Sequence, residues 1–228
     1  MRLAFLTPTA HRVKPWRRRL VAAWLKRLGR REDAAVLLSR SVPGMFRQDE
    51  IRLLYRTARD APGLGDYAEI SSWMGRTSIV QALALRDGRI SGAKLYAIDT
   101  HDGGLDLIER VRGEGGSTLP QFRANVRSVG LSELIDEMVM PSERAAEVLG
   151  ERGVRLRMLF IDGAHDEASV RRDIRAFLPL MNPRGIIALH DFEHDPWPGV
   201  TKAYHAELAD KVDVVERASH LLITRWRR

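Results

Sequence analysis

The chain contains 228 residues, of which 44% are hydrophobic and 29% charged, and this composition is typical of a folded globular domain. It has no cysteine, which excludes disulfide bonds, thiolate metal sites and cysteine nucleophiles and is consistent with a cytoplasmic protein. The net charge of +7 is concentrated in residues 1–31, which hold ten Lys and Arg and no acid, whereas the remainder has 27 basic and 30 acidic residues. No groove for nucleic acid is therefore expected on the body of the protein.

The first predicted element is a basic amphipathic helix within residues 11–32. Its apolar residues recur at spacings of three and four, with Arg and Lys between them, which is the period of an α-helix. They are Trp16, Leu20, Ala23, Trp24 and Leu28. This helix either packs on its own domain with its charged face in solvent, or binds a membrane surface or a partner such as a second copy of the chain. Residues 1–45 are therefore interpreted as a basic N-terminal helical arm, and residues 46–228 as the main domain.

Residues 47–59 predict a second helix, and from residue 66 onward apolar strands alternate with helical segments. The predicted strands are 66–71, 94–100, 136–141, 157–163 and 185–192. Helices are predicted to begin near Gly75, Leu119, Ser142 and Asp166, with another after Pro198. This alternation predicts an α/β fold with a doubly wound, mostly parallel sheet. Two further strand-like runs, joined near 218–220, predict a C-terminal antiparallel hairpin and bring the sheet to seven strands.

Polar residues end the fourth and fifth predicted strands. In LRMLFIDGAHDEASV the apolar run leads into Asp162 and His165, and in GIIALHDFEHD it leads into His190 and Asp191. Ligands of a doubly wound sheet bind beyond the carboxyl ends of its strands, and burying so many ionisable groups as core would be costly. We therefore predict that these four residues form one site at the edge of the sheet.

The first strand and the turn after it, DYAEISSWMGRTSIVQAL, have the features of a nucleotide-binding loop. Glu69 lies at the end of the strand, and Ser71, Ser72 and Gly75 keep the turn small enough for backbone to approach a ligand. The bulky Trp-Met pair between them, and the lack of a G-x-G-x-x-G pattern, argue against a dinucleotide. Asp99 ends the second strand, where an acid can accept hydrogen bonds from ribose hydroxyls.

Taken together, these segments resemble class I S-adenosylmethionine-dependent methyltransferases. The motifs that carry the resemblance are EISSWMGRTS, AIDTHDGG, FIDGAHDEASVRRDI and PRGIIALHDFEHDPWPGV. They are most similar to the small bacterial group related to sugar and antibiotic-tailoring O-methyltransferases, over residues from about 48 to 210. The resemblance implies a Rossmann-like methyltransferase fold, S-adenosylmethionine as cofactor and a small-molecule hydroxyl, on a sugar or a similar compound, as methyl acceptor.

The resemblance also implies roles for individual residues. Glu69 would lie near the amino group of the methionine moiety, Asp99 would hold the ribose, and Ser142 would lie close to the adenine. The cofactor loop would consist of Ser71, Ser72 and Gly75, with Arg76 and Thr77 beside it. Asp162 would face both the methyl donor and the acceptor. Ser71 replaces the glycine usual in the first motif, and this would strain the loop if the position needs a positive φ.

Two ways of activating the acceptor hydroxyl remain open. His165 or His190 could remove its proton, because imidazole titrates near neutral pH. Alternatively, Asp162 and Asp191 could share a divalent cation such as Mg²⁺, which lowers the pKa of a bound hydroxyl. Related metal-dependent enzymes carry a third ligand where this chain has Phe192, and this difference favours the histidine base.

Two other functions fit parts of the sequence. A nicotinamide-dependent dehydrogenase would share the sheet but is disfavoured by the missing glycine pattern. A membrane-surface binding module would use the basic arm and carry an inactive methyltransferase fold. Trp197 lies in a loop that could form a lid. Other polar residues near the strand ends are expected to be solvated, namely His101, Asp102, His194 and Asp195.

Overall fold

The structure is a computed structural model that describes residues 15–88, 90, 92–102 and 116–227. Three helices precede the sheet: α1 (Pro15–Arg27), α2 (Arg31–Ser39) and α3 (Gln48–Asp60). The strands are β1 (Asp66–Ile70), β2 (Leu95–Ile98), β3 (Ile135–Met138), β4 (Leu156–Ile161), β5 (Met181–Leu189), β6 (Val212–Ala218) and β7 (Leu221–Trp226). The helices between them are α4 (Arg76–Asp87), α5 (Leu119–Ser128), α6 (Ser142–Glu151), α7 (Glu167–Phe177) and α8 (Pro198–Glu207).

The seven strands form one sheet in the order β3-β2-β1-β4-β5-β7-β6. The first five strands are parallel to one another, and β7 pairs antiparallel with both β5 and β6. The strand order reverses between β1 and β4, which is where a sheet of this kind opens a ligand-binding crevice. The predicted fold class, including the C-terminal hairpin, is confirmed.

The ends of the strands differ from the prediction by one to three residues, because the prediction extended each parallel strand too far. Beyond three of the strands the chain adopts left-handed backbone, with φ of 70° at Ser71, 58° at His101 and 58° at Asp191. Extended pairing cannot continue through such residues. In addition, β5 begins at Met181, before its predicted start at 185. The loops that form the site therefore begin closer to the sheet than the apolar pattern indicated.

Helices cover both faces of the sheet, as an all-apolar parallel sheet requires. One core contains the apolar sides of α2, α3, α4 and α5 together with strand residues such as Tyr67, Met158 and Phe160. The other core contains α6, α7 and α8 together with strand residues such as Ile70 and Leu159, whose side chains point to the opposite face of the sheet. The strands thus serve as a rigid frame whose carboxyl ends carry the polar residues.

Helix α1 is present as predicted, but the residues through which it contacts the domain are not the predicted ones. Among its described side chains, those of Ala22 and Leu25 are buried. The residues predicted to form its apolar face are exposed where their side chains are described, namely Leu20, Ala23, Trp24 and Leu28. The helix therefore packs on its own domain, as one interpretation held, but through Ala22 and Leu25 and not through the predicted apolar face. No helix among the described residues is long and apolar enough to cross a bilayer.

Candidate active site

The backbone ladder places the ends of β1, β4 and β5 side by side. Ile70 is paired with Ile161, which is paired with Leu189. The ladder continues one step further, because Asp162 donates its N–H to the carbonyl of Ile70 at 3.2 Å and His190 donates to that of Ile161 at 3.1 Å. The apolar runs of these strands thus fix where the acid and the histidine stand.

His190 lies at the centre of the polar cluster and is buried. Its Nδ1 lies 2.9 Å from Oδ1 of Asp162 and 3.1 Å from Oδ2 of Asp191. Its Nε2 lies 3.5 Å from Oε2 of Glu50, a buried carboxylate on α3. Phe46 stacks on the imidazole ring with a centroid separation of 4.0 Å. Three carboxylates and an aromatic ring therefore hold this histidine in place.

The surrounding charges decide the ionisation of the cluster. Burial alone would lower the pKa of His190, but the carboxylates of Asp162, Asp191 and Glu50 raise it to about 12. Burial would raise the pKa of Asp191, but hydrogen bonds from His165 and His190 lower it well below its ordinary value. Burial raises the pKa of Asp162, although His190 opposes this effect. His190 is therefore positively charged at neutral pH, and it cannot accept a proton.

His165 joins the same cluster through Asp191. Its Nε2 lies 3.0 Å from Oδ2 of Asp191, and its ring stacks on Trp197 with a centroid separation of 4.3 Å. The loop that carries His165 lies directly against the start of α8, where a Cβ on Gly199 would come within 2.3 Å of the His165 carbonyl oxygen. The structure thus brings together the four residues predicted to form the site.

Among the remaining polar residues, which were expected to be solvated, His194 and His101 have defined partners. Nδ1 of His194 lies 2.7 Å from Oδ1 of Asp191, and its ring stacks on His220 at 4.2 Å. His101 is buried, with Nδ1 2.9 Å from the hydroxyl of Thr118. The expectation was wrong for His101, whereas His194 stays partly exposed but is held by Asp191 and His220. Asp102 and Asp195 are exposed, as expected.

The predicted cofactor turn connects β1 to α4 and contains three left-handed residues, Ser71 and Gly75 at its ends and Trp73, with φ of 43°, between them. Ser71 has φ of 70°, so the position that resembles a glycine does require a conformation that glycine favours. Gly75 has φ of 85°, and a Cβ there would come within 3.0 Å of the ring of Phe122. Glycine is therefore needed at position 75 for both its conformation and its lack of a side chain.

Asp99 supports this turn from the end of β2. Its Oδ2 accepts the backbone N–H of Trp73 and its Oδ1 accepts that of His101, each at 2.7 Å. The carboxylate is only partly buried, and each oxygen retains a second lone pair. Asp99 therefore fixes the shape of the turn and can still accept a hydrogen bond from a ligand such as ribose.

Glu69 lies beneath the turn and is fully buried. The hydroxyl of Ser78 donates to its Oε2 at 2.5 Å, whereas Oε1 has no hydrogen-bond partner within the described residues. Burial raises the pKa of Glu69 to about 8, against the effect of the hydrogen bond from Ser78. Oγ of Ser72 is likewise buried and has no hydrogen-bond partner among the described residues. Unsatisfied polar atoms under this turn fit a polar, cationic ligand above it.

The other three residues of the predicted cofactor site differ in their surroundings. The Arg76 guanidinium turns toward the N-terminal segment and donates to the carbonyl of Gly44 at 2.6 Å. Thr77 is buried in the first turn of α4. Ser142 begins α6, and its hydroxyl donates to Oδ1 of Asp173 on α7. Burial raises the pKa of Asp173 to about 6.

Three residues of the site region were missed by the sequence reasoning: Phe46, Glu50 and Asp173. Phe46 and Glu50 lie about 140 residues before His190, and no local pattern links a helix residue to a strand end so far along the chain. Asp173 carried a weak signal, since it is an acid on the buried side of α7. A search for acids on the apolar face of a predicted helix could have found it.

The cluster also offers a set of ligands for a cation. Asp162, His190 and Asp191 each present one ligand atom, and these atoms all lie within 4.8 Å of one another. Phe192 is buried against Tyr204, with a centroid separation of 5.1 Å, and cannot ligate. The imidazole of His190 could supply the donor atom that Phe192 lacks only after losing its proton. Two carboxylates with one imidazole form a chemically reasonable donor set for a divalent metal.

Comparison with known proteins agrees with this geometry. A profile of the family described as "Methyltransferase domain" matches residues 68–192, more than half of the chain. The chain belongs to this methyltransferase family. The matched segment of the methyltransferase runs from β1 through the polar cluster at the end of β5, so it includes both the turn predicted to bind the cofactor and the four clustered residues.

Several solved structures share the fold of this methyltransferase. The O-methyltransferase NovP is 17% identical, with a TM-score of 0.65 over 81% of this chain and 82% of that one. The O-methyltransferase TomG from Streptomyces achromogenes, solved with S-adenosylmethionine, is 16% identical, with a TM-score of 0.61 over 86% and 89%. CalS11, a TDP-rhamnose 3'-O-methyltransferase, is 16% identical, with a TM-score of 0.55 over 77% of each chain. The family and the fold are those of class I S-adenosylmethionine-dependent methyltransferases.

Proposed function

We propose that this methyltransferase transfers the methyl group of S-adenosylmethionine to a hydroxyl of a small molecule, with sugars as the first acceptor class to test. The observation that carries the proposal is the position of the polar cluster. Asp162 bonds through its backbone to Ile70, the last residue before the predicted cofactor turn. An acceptor held at Asp162, His165 and Asp191 would therefore lie next to a methyl donor held by that turn. A TDP-rhamnose 3'-O-methyltransferase among the structural neighbours supports the acceptor class.

Methyl transfer from a sulfonium is an in-line displacement, so correct positioning of donor and acceptor supplies much of the rate enhancement. In our proposal the turn residues Ser71, Ser72 and Gly75 bind the donor at the ends of β1 and β2. Asp99 accepts hydrogen bonds from the ribose hydroxyls, and Glu69, when ionised, provides the negative charge that faces the cationic methionine moiety. The rigid ends of β4 and β5 hold the acceptor side, which fixes the line of attack.

The acceptor hydroxyl must lose its proton as the methyl group is transferred. His190 is held as a cation between carboxylates and is unsuitable as a base. His165 is the better candidate, because Asp191 binds its Nε2 and thereby assigns the base role to Nδ1.

A divalent cation is the alternative means of activation, and the residues present fit one. Asp162, Asp191 and His190 would hold it, and it would supply Lewis-acid chemistry that lowers the pKa of the acceptor hydroxyl. An imidazole nitrogen suits Mn²⁺ or Zn²⁺ better than Mg²⁺, which prefers oxygen ligands. A bound cation would have to replace the proton that Nδ1 of His190 shares with these two carboxylates.

Ligand-induced thermal shifts test the cofactor part of the proposal. S-adenosylmethionine and S-adenosylhomocysteine are expected to raise the melting temperature, whereas NAD is expected to leave it unchanged. Each measurement is repeated with Mn²⁺ and with Mg²⁺. Stabilisation by NAD alone would support a dehydrogenase and contradict our proposal.

Transfer of a labelled methyl group to candidate acceptors tests the chemical part. Sugar nucleotides, free sugars and phenols provide hydroxyls of different acidity. Thiols and amines that lack a hydroxyl provide the matched control compounds. Labelled product is expected from the hydroxyl compounds only. Transfer to nitrogen or sulfur with no transfer to oxygen would contradict O-methylation while leaving the methyltransferase assignment in place.

A further inference from the structure

Helix α1 presents its largest apolar side chains to solvent. Leu20, Val21, Trp24 and Leu28 are 62%, 47%, 57% and 54% exposed, and they account for four of the nine large exposed hydrophobic residues in the part of the chain that the structure describes. With a rotation of about 100° per residue, these four positions fall within one arc of about 100°. The buried residues Ala22 and Leu25 lie outside this arc, about 100° and 40° beyond Val21 around the helix. Such a concentration of exposed apolar side chains is unusual for a surface helix.

Positive charge surrounds this apolar arc. Arg17 lies within the arc and Arg27 at its edge, and both are exposed. The segment 1–31 holds ten basic residues and no acidic one. The helix is also fixed to the body of the protein, because Arg19 donates a hydrogen bond to the carbonyl of Ser128. The arc is therefore an ordered apolar surface within a strongly cationic segment.

We propose that α1 docks this protein onto a membrane surface that contains anionic lipids. In this arrangement Leu20, Trp24 and Leu28 enter the boundary between headgroups and acyl chains, and the arginines face lipid phosphates. A short helix with Trp and Leu on one face and arginines beside them is the pattern of helices that lie in the membrane interface. Long arginine side chains can extend toward the headgroups while their methylene groups stay in contact with lipid. The proposal is independent of the catalysed reaction.

A second copy of the chain is a poorer occupant of the same surface. In a two-fold symmetric contact through α1, the same face of both helices meets. Arg17 and Arg27 of one copy would then approach those of the other, and the segment 1–31 offers no acid to neutralise them. Anionic lipid supplies the opposite charge, worth about a fivefold gain in binding for each basic residue near the surface.

Co-sedimentation of the full-length protein with vesicles tests the proposal. Vesicles of phosphatidylcholine alone are compared with vesicles of phosphatidylcholine and phosphatidylglycerol in equal parts. The protein is expected to sediment with the anionic vesicles and to remain in solution with the neutral ones. The double variant L20S/W24S should bind the anionic vesicles at least about tenfold more weakly, because it removes the apolar contact. R17Q/R27Q should bind about 25-fold more weakly.

The control variant is V214S/V215S, which removes two exposed apolar residues from β6, away from α1. It should bind as the original protein does, and all of these substitutions lie at exposed positions, so the fold should persist. Equal binding of the original protein and L20S/W24S would overturn the proposal, as would the absence of binding to anionic vesicles. Light scattering in solution provides a further check: a dimer that L20S/W24S converts to a monomer would assign the surface to self-association instead.

Discussion

Glu69 is a buried carboxylic acid under the turn that we assign to a cationic cofactor. Its pKa of about 8 means that it is mostly protonated at pH 7 in the empty protein. The sulfonium and ammonium groups of S-adenosylmethionine favour the ionised form, so binding at pH 7 should release close to one proton. Affinity should rise with pH, by up to about tenfold per pH unit, and level off above pH 8.

Calorimetry in two buffers of different ionisation enthalpy measures that proton release directly. Glu69→Gln is the matched variant, because it keeps the shape of the side chain and cannot ionise. It should bind S-adenosylmethionine more weakly and without proton release. If proton release were the same in the original protein and in the variant, Glu69 would not be the group that responds to the cofactor.

The buried acid Asp173 should make the free energy of unfolding depend on pH. Its pKa is raised to about 6 by burial, above the reference value of about 3.9 for an unfolded chain. Folding therefore favours the protonated acid, and the stability that this group contributes is present below about pH 4 and lost as pH rises through about 6. Asp173→Asn should raise the free energy of unfolding by about 2 kcal/mol at pH 8 and by little at pH 4.

Urea denaturation at the two pH values measures this difference. Ser142→Ala provides a contrasting variant, because it removes the hydroxyl that donates to Asp173. That variant should destabilise the protein more at pH 8, where Asp173 is ionised, than at pH 4. A stability gain in Asp173→Asn that is the same at both pH values would show that the ionisation of Asp173 is not its cause.

The choice between a histidine base and a cation also depends on single residues. His165→Ala should lower kcat by about 10²- to 10⁴-fold if His165 is the base, and a chelator should then have no effect. If a cation activates the acceptor, the chelator should abolish turnover and Mn²⁺ should restore it, and Asp191→Asn should lose metal binding. Full activity in His165→Ala together with sensitivity to the chelator would rule out the histidine base.

Sequence reasoning could anticipate part of the candidate site. The residues at the ends of β4 and β5 were predicted to meet, because parallel neighbouring strands bring their carboxyl ends to one edge. The pKa of His190 could be predicted only in part: Asp162 and Asp191, which raise it most, were expected at the site, whereas Glu50, which adds to the effect, contacts His190 only in the folded chain. The ionisation of a site requires all of its neighbours, including those that approach from another layer.

At the level of elements, the turn between β1 and α4 is shaped by its steric surroundings. Gly75→Ala would introduce a Cβ within 3.0 Å of Phe122 as well as a side chain at φ of 85°. The matched control is Gly153→Ala, where φ is 69° but nothing lies within 4 Å of the added Cβ. The control should cost about 1 kcal/mol of stability, from backbone strain alone.

Gly75→Ala should cost about 1–3 kcal/mol more than the control, since overpacking adds to the strain. It should also weaken binding of S-adenosylmethionine, because the turn must shift to relieve the contact. Thermal unfolding of both variants, and calorimetry with the cofactor, provide the measurements. Equal effects of the two substitutions would show that Phe122 does not restrict the turn.

The elements themselves were largely predictable, whereas their ends were not. Alternating apolar strands and helices, and a continuous apolar run such as 158–161, follow from burial on both sides of the sheet. The strand ends depend on backbone angles, and Ser71 and Asp191 are not residues that signal left-handed backbone strongly. The same conformations begin the loops of the site, so the errors of prediction fall where the function lies.

For the molecule as a whole, the N-terminal helices differ in how much of the core they build. Among the side chains of helix α1 that the structure describes, Ala22 and Leu25 join the core, whereas α2 buries Ala34, Ala35, Val36 and Leu38 against α3 and α4. Helix α3 in turn carries Glu50, which reaches His190. The segments on the two sides of the boundary predicted between residues 45 and 46 therefore share one core. The division of the chain into an arm and a separate domain stays a prediction.

Two truncated chains test this difference between α1 and α2. A chain that begins at Arg31 lacks α1 and should fold and bind S-adenosylmethionine with the affinity of the full-length protein, but should no longer bind anionic vesicles. A chain that begins at Ser41 also lacks α2. It exposes the apolar surface under Val36 and Leu38 and should lose about 3 kcal/mol of stability or more, since each such side chain contributes about 1.5–3 kcal/mol when buried. Circular dichroism melting and cofactor calorimetry on both chains give the comparison. If the chain beginning at Ser41 melted at the same temperature as the one beginning at Arg31, α2 would be an appendage like α1, and the core beneath it would be complete without it.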